Sequence, residues 1–186
     1  MEIIDTAIPE LKVIQPKVFG DARGYFFESY NKQQLAAAGL NADFVQDNQS
    51  LSAKNVIRGL HFQKPPFAQG KLVRVITGSA MDVAVDIRKG SPTYGRHVTT
   101  LLSAEENNMF WIPAGFAHGF VALEDHTIFA YKTTDYYNKE SEGAIRWNDP
   151  DINVEWGVSK PVISDKDKVS PFFKDFESPF IYEELR

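Results

Sequence analysis

Residues 71–88 read KLVRVITGSAMDVAVDIR and contain the two clearest strand signals of the chain, Lys71–Thr77 and Met81–Arg88. Because successive side chains of a strand point to opposite sides, the second strand places its apolar side chains on one face and Asp82, Ala84 and Asp86 on the other. By the same alternation Lys71 shares a face with valines, so we expect its amine to point inward. The Gly78-Ser79 pair between the two strands predicts a tight turn.

The segments on either side continue this pattern of short, regularly spaced strands. One N-terminal helix is predicted, because Asn31 can cap its first turn, Gln34 occupies the reciprocal capping-box position, and Gly39 can end it. Many short strands with a single helix predict an all-β antiparallel sandwich or barrel. The other predicted strands are Gly24–Tyr30, Phe44–Ser52, His97–Leu102, Met109–Ile112, His118–Leu123 and Thr127–Thr134.

The length of 186 residues fits one domain, 1–186, with a barrel core over about residues 44–134 and a C-terminal arm over residues 135–186. The arm is more polar and rich in proline, yet it carries large aromatic residues such as Trp147, Trp156 and Phe176. These side chains would be exposed if the arm were separate. We therefore expect the arm to pack over the barrel.

Composition and charge exclude several classes of function. A net charge of −5 without a lysine- or arginine-rich run argues against a DNA or RNA partner. The chain has no cysteine, which excludes disulfides, thiolate catalysis and zinc–thiolate sites. The N-terminus lacks the features of a signal peptide, and the longest apolar segment, Met109–Leu123, is interrupted by Pro113 and glycines. We expect a cytoplasmic protein with no membrane partner.

Two motifs contain residues that could carry chemistry: Arg58-Gly59-Leu60-His61-Phe62-Gln63 and Gly115-Phe116-Ala117-His118-Gly119. A histidine is a suitable base near neutral pH, although a strand histidine taken alone is more often structural. Strict alternation puts Arg58 and His61 on opposite faces unless Gly59 allows a bulge. Strand cations can hold a diphosphate or simply solvate an outer face. The candidate cations are Arg23, Arg58, Lys71 and Arg74.

Two further side chains would complete an acid and base set, and each has a structural alternative. Tyr131 shares a face with Phe129 and Thr133, so its phenol could lie inside the barrel or be packed with its hydroxyl bonded to backbone. Asp167 lies in a charged segment that by itself indicates a solvated loop. A role for Asp167 in the site requires the arm to return to the barrel mouth.

A metal site is the rival interpretation of the histidines. Jelly-roll barrels that bind a metal commonly use a His-x-His pair with a glutamate and a further histidine. Here Gln63 stands two residues after His61, and no His-x-His sequence occurs in the chain. We therefore expect neither a metal nor another cofactor.

The combined motifs closely resemble those of the dTDP-4-dehydrorhamnose 3,5-epimerases, a family of the cupin superfamily. Arg-Gly-Leu-His together with Gly-Phe-Ala-His-Gly-Phe is the most specific part of the resemblance, which runs over most of the chain. It implies a metal-free, cupin-type jelly-roll enzyme, usually a homodimer, that inverts C3 and C5 of a thymidine-diphosphate 4-keto-6-deoxyglucose. The other matching stretches are Phe19–Glu28, Gln46–Asn48, Gln69–Val73, Asp82–Asp86, Trp111–Pro113, Tyr131–Thr134, Trp147–Pro150 and Ser164–Asp167.

The resemblance also implies a role for each site residue. His61 would be the base, paired with Asp167. Lys71 would stabilise the enolate oxygen, and Tyr131 would donate a proton from the opposite face. Asp82 would be the partner of His118. The residues implied to bind the diphosphate, sugar or nucleotide are Arg23, Glu28, Gln46, Asp47, Asn48, Arg58, Lys71, His118, Glu142 and Lys166.

A physical argument supports these roles. A proton beside a ketone is far less acidic than imidazolium, so His61 can remove it only if the charge that develops on the oxygen is stabilised, as a fixed ammonium would do. An aspartate behind the histidine fixes its tautomer. Inversion, unlike exchange, needs a second proton source on the other face, which Tyr131 would supply.

Three other functions remain open at the level of sequence. The first is an epimerase that acts only at C3 or only at C5. The second is a ketoisomerase of the same fold that acts on a related sugar nucleotide. The third is a sugar-nucleotide-binding module without catalysis, and the complete set of His61, Lys71, Tyr131 and Asp167 argues against it.

Overall fold

A computed structural model describes residues 1–183, so residues 184–186 of the predicted arm lie outside the described residues. Strands dominate this part of the chain. Its helices are short, and none has the length and hydropathy that a membrane crossing requires.

The strands and helices are short and follow one another closely. The elements are β1 (Glu2–Asp5), β2 (Lys12–Gln15), β3 (Phe19–Asp21), β4 (Gly24–Phe26), α1 (Lys32–Ala37), β5 (Gln46–Ser52), β6 (Val56–Gln63), β7 (Lys71–Thr77), β8 (Ser79–Asp86), β9 (Arg88–Lys89), β10 (His97–Ser103), β11 (Met109–Ile112), β12 (Phe116–Ala122), β13 (Thr127–Thr133), β14 (Glu142–Ala144), β15 (Val162–Ile163), α2 (Asp165–Lys168) and β16 (Phe180–Ile181), with 3₁₀ turns at Lys139–Ser141 and Phe173–Asp175.

Most of these strands form two sheets that pack face to face. The first sheet has the strand order β1-β2-β11-β7-β13-β5, and the second has the order β10-β8-β12-β6-β14. Strand β15 of the arm joins the second sheet in parallel to β6. The predicted all-β jelly-roll sandwich is therefore confirmed.

The main core lies between the two sheets. Phe129 of the first sheet stacks on Phe120 of the second with ring centroids 4.0 Å apart. Strand β8 alternates as predicted, because Ala84 packs in this core while Val83 and Val85 pack in the cluster on the other side of the sheet. Asp82 is on the same face as Ala84, so its carboxylate points into the space between the sheets.

The C-terminal arm covers the outer face of the second sheet. Trp156 is 5% exposed and packs in the same cluster as Val83 and Val85, together with Trp147 and Phe176 of the arm. Burying one large apolar side chain contributes roughly 1.5–3 kcal/mol, so several such contacts hold the arm in place. The predicted packing of the arm over the barrel is confirmed.

The N-terminal helix α1 covers the outer face of the first sheet through Leu35, which packs in a cluster with Leu72 and Met109. Asn31 caps the helix as predicted, because its side chain accepts a hydrogen bond from the Gln34 amide at 3.1 Å. The reciprocal half of the capping box is wrong. The Gln34 side chain donates instead to Glu28 Oε2 at 2.5 Å.

The turn at Gly78 follows the predicted Gly78-Ser79 signal, but the two strands that it joins do not pair with each other. Gly78 has a φ of 77°, and a Cβ there would lie 2.7 Å from Thr127 Oγ1. However, β7 pairs with β11 and β13, whereas β8 pairs with β10 and β12. The turn therefore carries the chain from one sheet to the other and closes no hairpin.

Candidate active site

A cavity of about 630 Å³ has walls from both sheets and from α2. Most of the predicted site residues line it. These residues are Gln46, Asn48, Arg58, His61, Lys71, His118, Tyr131, Glu142, Lys166 and Asp167.

A bulge in β6 turns both Arg58 and His61 toward this cavity. His61 pairs with His118, but Arg58 pairs with Phe120, so β6 has one more residue than β12 over this stretch. Gly59 makes the bulge possible: its φ is 140°, and a Cβ there would lie 2.6 Å from Gly119 Cα. The expectation that Gly59 allows a bulge is confirmed, and the two sequence motifs meet at this point.

Helix α2 of the arm brings Asp167 to His61. His61 Nε2 lies 2.6 Å from Asp167 Oδ1, although the two residues are 106 positions apart. Ser164 caps the helix, because its Oγ accepts a hydrogen bond from the Asp167 amide at 3.1 Å. The single predicted helix and the solvated loop at Asp167 are therefore both wrong, since Asp167 is 3% exposed within a second helix.

The groups around Asp167 lower the pKa of its carboxyl group. Burial raises the pKa of Asp167, but the hydrogen bond and charge of His61, with further bonds from Ser164 and the Gly59 amide, outweigh burial and lower the pKa. The carboxylate is therefore ionised at neutral pH and accepts Nε2–H of His61. When the imidazole is neutral, this bond leaves Nδ1 as the nitrogen without a hydrogen.

Lys71 lies in the cavity wall and is 9% exposed. Its Nζ donates a hydrogen bond to the backbone oxygen of His61 at 3.5 Å. Burial lowers the pKa of Lys71 to about 8, although the charge of Asp82 opposes the shift. The side chain is thus an ammonium at neutral pH in a place where water screens its charge poorly.

Asp82 lies behind His118 and is fully buried. Its Oδ2 is 2.9 Å from His118 Nε2. Burial raises the pKa of Asp82, and the charges of His118 and Lys71 offset part of this effect. Burial also lowers the pKa of His118, with Asp82 opposing. A neutral imidazole that donates Nε2–H to Asp82 keeps Nδ1 as a hydrogen-bond acceptor.

Tyr131 comes from the first sheet, whereas His61 belongs to the second, so the two side chains approach the cavity from different walls. Tyr131 packs beside Phe129, as the alternation of β13 predicts, with ring centroids 6.4 Å apart. Burial raises the pKa of Tyr131, and the charge of Arg58 lowers it in part. The phenol is therefore protonated at neutral pH and can act as an acid.

Four of the polar residues that line the cavity form two hydrogen-bonded pairs. Lys166 Nζ donates to Glu142 Oε2 at 2.7 Å, which joins α2 to β14. Gln46 Nε2 donates to Asn48 Oδ1 at 2.9 Å, and Gln46 Oε1 accepts from the Tyr137 amide at 3.0 Å. These four predicted ligands are thus held in place before any ligand binds.

Three predicted ligands lie outside this cavity. The Arg23 side chain is 89% exposed in the β3–β4 hairpin and pairs with Asp21. Glu28 accepts hydrogen bonds from Asn31 and Gln34. Asp47 is paired with Lys132 and lines a second cavity of about 340 Å³. The folded chain by itself does not bring these residues to His61.

Several further residues line the cavity although the sequence pattern did not predict them as site residues, including Ser50, Phe120, Tyr137 and Gln63. Gln63 holds two loops at the cavity wall: its Nε2 donates to the carbonyls of Phe67 and Tyr136 at 2.7 and 3.1 Å, and its Oε1 accepts from the Asn138 amide at 2.8 Å. Its place two residues after His61, on the same face of β6, was a signal for this role.

The metal alternative can be compared with the side chains present. Within residues 1–183, no group of three or more His, Cys, Asp or Glu side chains is arranged to hold a metal ion. The Gln63 amide, at the position of the second ligand of a His-x-His pair, is already bonded to loop backbone. Independence from metal stays a prediction.

The arrangement suits proton transfer at carbon. One wall carries a base with an ionised partner, the other wall carries a buried acid, and an ammonium lies next to the base. Such a set can remove a proton beside a carbonyl, stabilise the enolate and return a proton.

Comparisons with known proteins agree with this chemistry. A family model described as dTDP-4-dehydrorhamnose 3,5-epimerase matches residues 5–175. The dTDP-4-dehydrorhamnose 3,5-epimerase of Salmonella typhimurium is 56% identical over 173 residues, which are 92% of this chain and 94% of that protein. The one of Shigella flexneri is 54% identical over 168 residues, with shares of 90% and 93%.

A solved structure shows the same similarity in three dimensions. The dTDP-6-deoxy-D-glucose-3,5-epimerase of Legionella pneumophila, in complex with dTDP-4-keto-L-rhamnose, is 46% identical and superimposes with a TM-score of 0.94 over 98% of both chains. The site chemistry, the family match and these identities lead to one conclusion. The chain is an isomerase that belongs to the dTDP-4-dehydrorhamnose 3,5-epimerase family.

Proposed function

We propose that the protein converts dTDP-4-dehydro-6-deoxy-D-glucose to dTDP-4-dehydro-L-rhamnose by inverting C3 and C5, without a metal. The observation that carries this proposal is that the imidazole of His61, the ammonium of Lys71 and the phenol of Tyr131 line one cavity. The 3,5-epimerase relatives support the same reaction.

The proposed reaction begins at His61. Nδ1 takes the proton from the carbon beside the C4 ketone, and the electron pair of the broken C–H bond moves to the C4 oxygen as an enolate. The ionised Asp167 supports this step, because it stabilises the imidazolium that forms. Without stabilisation of the oxygen charge the proton is too weakly acidic for an imidazole to remove.

Lys71 supplies that stabilisation. Its ammonium is fixed in the wall next to His61 and is poorly screened, so it interacts more strongly with the enolate than with the neutral ketone. Tyr131 then donates its proton to the carbon, and the enolate electrons form the new C–H bond. The position of Tyr131 on the other sheet supports delivery to the opposite face, which inverts the centre.

The remaining lining residues hold the substrate. We assign the diphosphate to Arg58 and Lys166, and the nucleotide or sugar to Gln46, Asn48 and Glu142. We assign His118 to the sugar, because a neutral imidazole with a free Nδ1 accepts a bond from a hydroxyl but does not attract an anion. Binding away from the reacting carbons orients them.

We further propose a homodimer, which gives a role to the ligands outside the cavity. The β3–β4 hairpin exposes Tyr25 and Phe26 by 61% and 66%, and Arg23 lies beside them. A hairpin that exposes such side chains can deliver Arg23, and Glu28 just after β4, to a second copy, whereas Asp47 in β5 is not carried by it. A cytoplasmic location likewise stays a prediction.

The proposal is tested by proton NMR of the 4-keto substrate in deuterated water. The wild-type enzyme should incorporate deuterium at C3 and C5 and form the L-rhamno product, with activity unchanged by a chelator. His61→Asn should abolish both exchange and inversion while it still binds thymidine diphosphate. Tyr131→Phe should lose inversion more than exchange.

The same spectra distinguish the alternatives. Exchange at a single carbon would replace the proposal by a C3 or C5 monoepimerase, and a displaced carbonyl would indicate a ketoisomerase. Binding without any deuterium uptake would indicate a binding module. Full turnover in a folded His61→Asn variant would remove His61 from its role as the base.

A further inference from the structure

We propose that Ser52 is a positioning residue whose buried hydroxyl holds the Arg58 guanidinium in the orientation that binds the diphosphate of the substrate. The inference rests on the proposed function, from which it takes the diphosphate as the ligand of Arg58. It adds a residue that does not touch the ligand itself.

The geometry around Arg58 is specific. Its Nε donates to Ser52 Oγ at 3.1 Å, and its Nη2 donates to the backbone oxygen of Leu51 at 3.2 Å. Both acceptors belong to β5, the edge strand of the first sheet, whereas Arg58 belongs to β6 of the second. The Arg58 side chain therefore crosses from one sheet to the other, and its guanidinium is fixed along the edge formed by Nε and Nη2.

The two acceptors, Ser52 Oγ and the Leu51 carbonyl, are neutral, so they do not neutralise the positive charge of Arg58. Arg88, by contrast, is paired with both Glu10 and Asp86. Within the described residues, no carboxylate lies within the 4.0 Å ion-pair distance of Arg58. The N–H groups of Nη1 and the second N–H of Nη2 have no part in the bonds to β5. They form the edge that can bind two phosphate oxygens at once.

Ser52 acts through Arg58 and not on the ligand. It is 3% exposed and is not among the residues that line the cavity, whereas Arg58 lines it. A free arginine side chain loses considerable rotamer entropy when it binds an anion. A guanidinium already held by Ser52 and Leu51 has lost most of that entropy on folding, so binding is tighter.

The test measures the affinity for thymidine diphosphate and for inorganic pyrophosphate by titration calorimetry. Ser52→Ala should weaken both by about tenfold, the effect of losing a hydrogen bond to a charged group. It should raise KM by a similar factor and leave kcat within about twofold. Ser91→Ala is the matched control: Ser91 is 9% exposed, donates to Asp86 at 2.6 Å and does not line the cavity, so its loss should leave both affinities unchanged.

A second pair of variants separates the effect of the hydroxyl group from the effect of side-chain volume. Ser52→Thr keeps the hydroxyl, and Ser52→Val has nearly the same shape as threonine without it, so the pair is informative even if the alanine variant does not fold. The threonine variant should retain affinity within about threefold, and the valine variant should bind as weakly as the alanine variant.

The decisive measurement is a double-mutant cycle. If Ser52 acts through Arg58, Ser52→Ala should have no further effect on affinity in an Arg58→Ala background. An equal loss in both backgrounds, or wild-type affinity in Ser52→Ala or Ser52→Val, would overturn the inference. If Arg58→Ala itself leaves the affinity unchanged, the diphosphate placement of the proposed function fails too. If Arg58→Ala weakens binding and the Ser52 variants do not, the inference about Ser52 fails alone.

Discussion

Lys71 lies in the cavity wall, and burial lowers its pKa to about 8. The ammonium form is the one that stabilises an enolate, so we expect kcat/KM, which reports the groups of the free enzyme, to fall roughly tenfold per pH unit above about pH 8. The measurement is the pH dependence of kcat/KM. Lys71→Arg stays charged throughout this range and should lack the decline, even if its rate is lower. A decline that persists in Lys71→Arg would show that another group controls it.

The same burial predicts an effect of Lys71 on stability. The folded pKa of Lys71 is below the value of about 10.4 in an unfolded chain. The unfolded state therefore binds more protons between these two values, and stability from this group rises with pH across that window. At pH 7 Lys71→Met should raise the free energy of unfolding by roughly 1–3 kcal/mol. Urea titrations at pH 7 and pH 10 measure it, and a less stable variant at pH 7 would contradict the prediction.

At the scale of elements, the close pairing of β6 and β12 at the bulge depends on Gly59. A Cβ there would lie 2.6 Å from Gly119 Cα and 3.0 Å from His118 O, at a φ of 140°. Gly59→Ala should therefore reduce the free energy of unfolding by roughly 2–4 kcal/mol and lower kcat, because the bulge that directs Arg58 and His61 must shift. Thermal melting measures the first effect and product formation the second.

Gly20→Ala is the control for this variant, because its Cβ would meet Gly24 O at an ordinary 3.8 Å. It should remain close to wild type in stability. Equal stability of Gly59→Ala and the wild-type protein would show that the backbones adapt more easily than the close approach suggests.

Local periodicity explains how much of these elements the sequence could predict. Alternation predicted an inward Lys71 amine, grouped Asp82 with Ala84 on one face of β8 without saying which face is the inner one, and grouped Tyr131 with Phe129, while the glycine at 59 pointed to the bulge. These features depend on residues a few positions apart, so a pattern along the chain contains them. The same holds for the Asn31 cap.

The features that were missed depend on contacts between distant segments. Nothing within Gly78-Ser79 states which sheet the next strand joins, and the strands β14 and β15 exist because they pair with β6. Helix α2 did have a local signal, since Ser164 and Asp167 have the spacing of a cap and its third helical residue. Its partner His61, 106 positions away, could not be deduced from that spacing.

At the scale of the whole molecule, we propose one domain over residues 1–186, because strands of the arm complete the second sheet.

The proposed dimer leads to a prediction about mixed subunits. Arg23→Ala and His61→Asn should each be nearly inactive. Unfolded together and refolded in equal amounts, they should recover about a quarter of wild-type activity, since half of the dimers then contain one intact site.

This recovery requires that Arg23 of one subunit serves His61 of the other. The control is Arg58→Ala mixed with His61→Asn, which lie in the same cavity of one chain and should show no recovery. Recovery in neither mixture would show that Arg23 serves the His61 of its own subunit, and full activity of Arg23→Ala alone would place Arg23 outside the site.

The position of Asp167 near the end of the chain also orders events during synthesis. His61 leaves the ribosome long before the carboxylate that orients it, which follows 106 residues later. A nascent polypeptide, or a fragment cleaved within the arm, has the base without its partner. The proposed catalysis can therefore begin only once α2 has been made and has folded onto β6, and a cut that separates α2 from the sheet should abolish it.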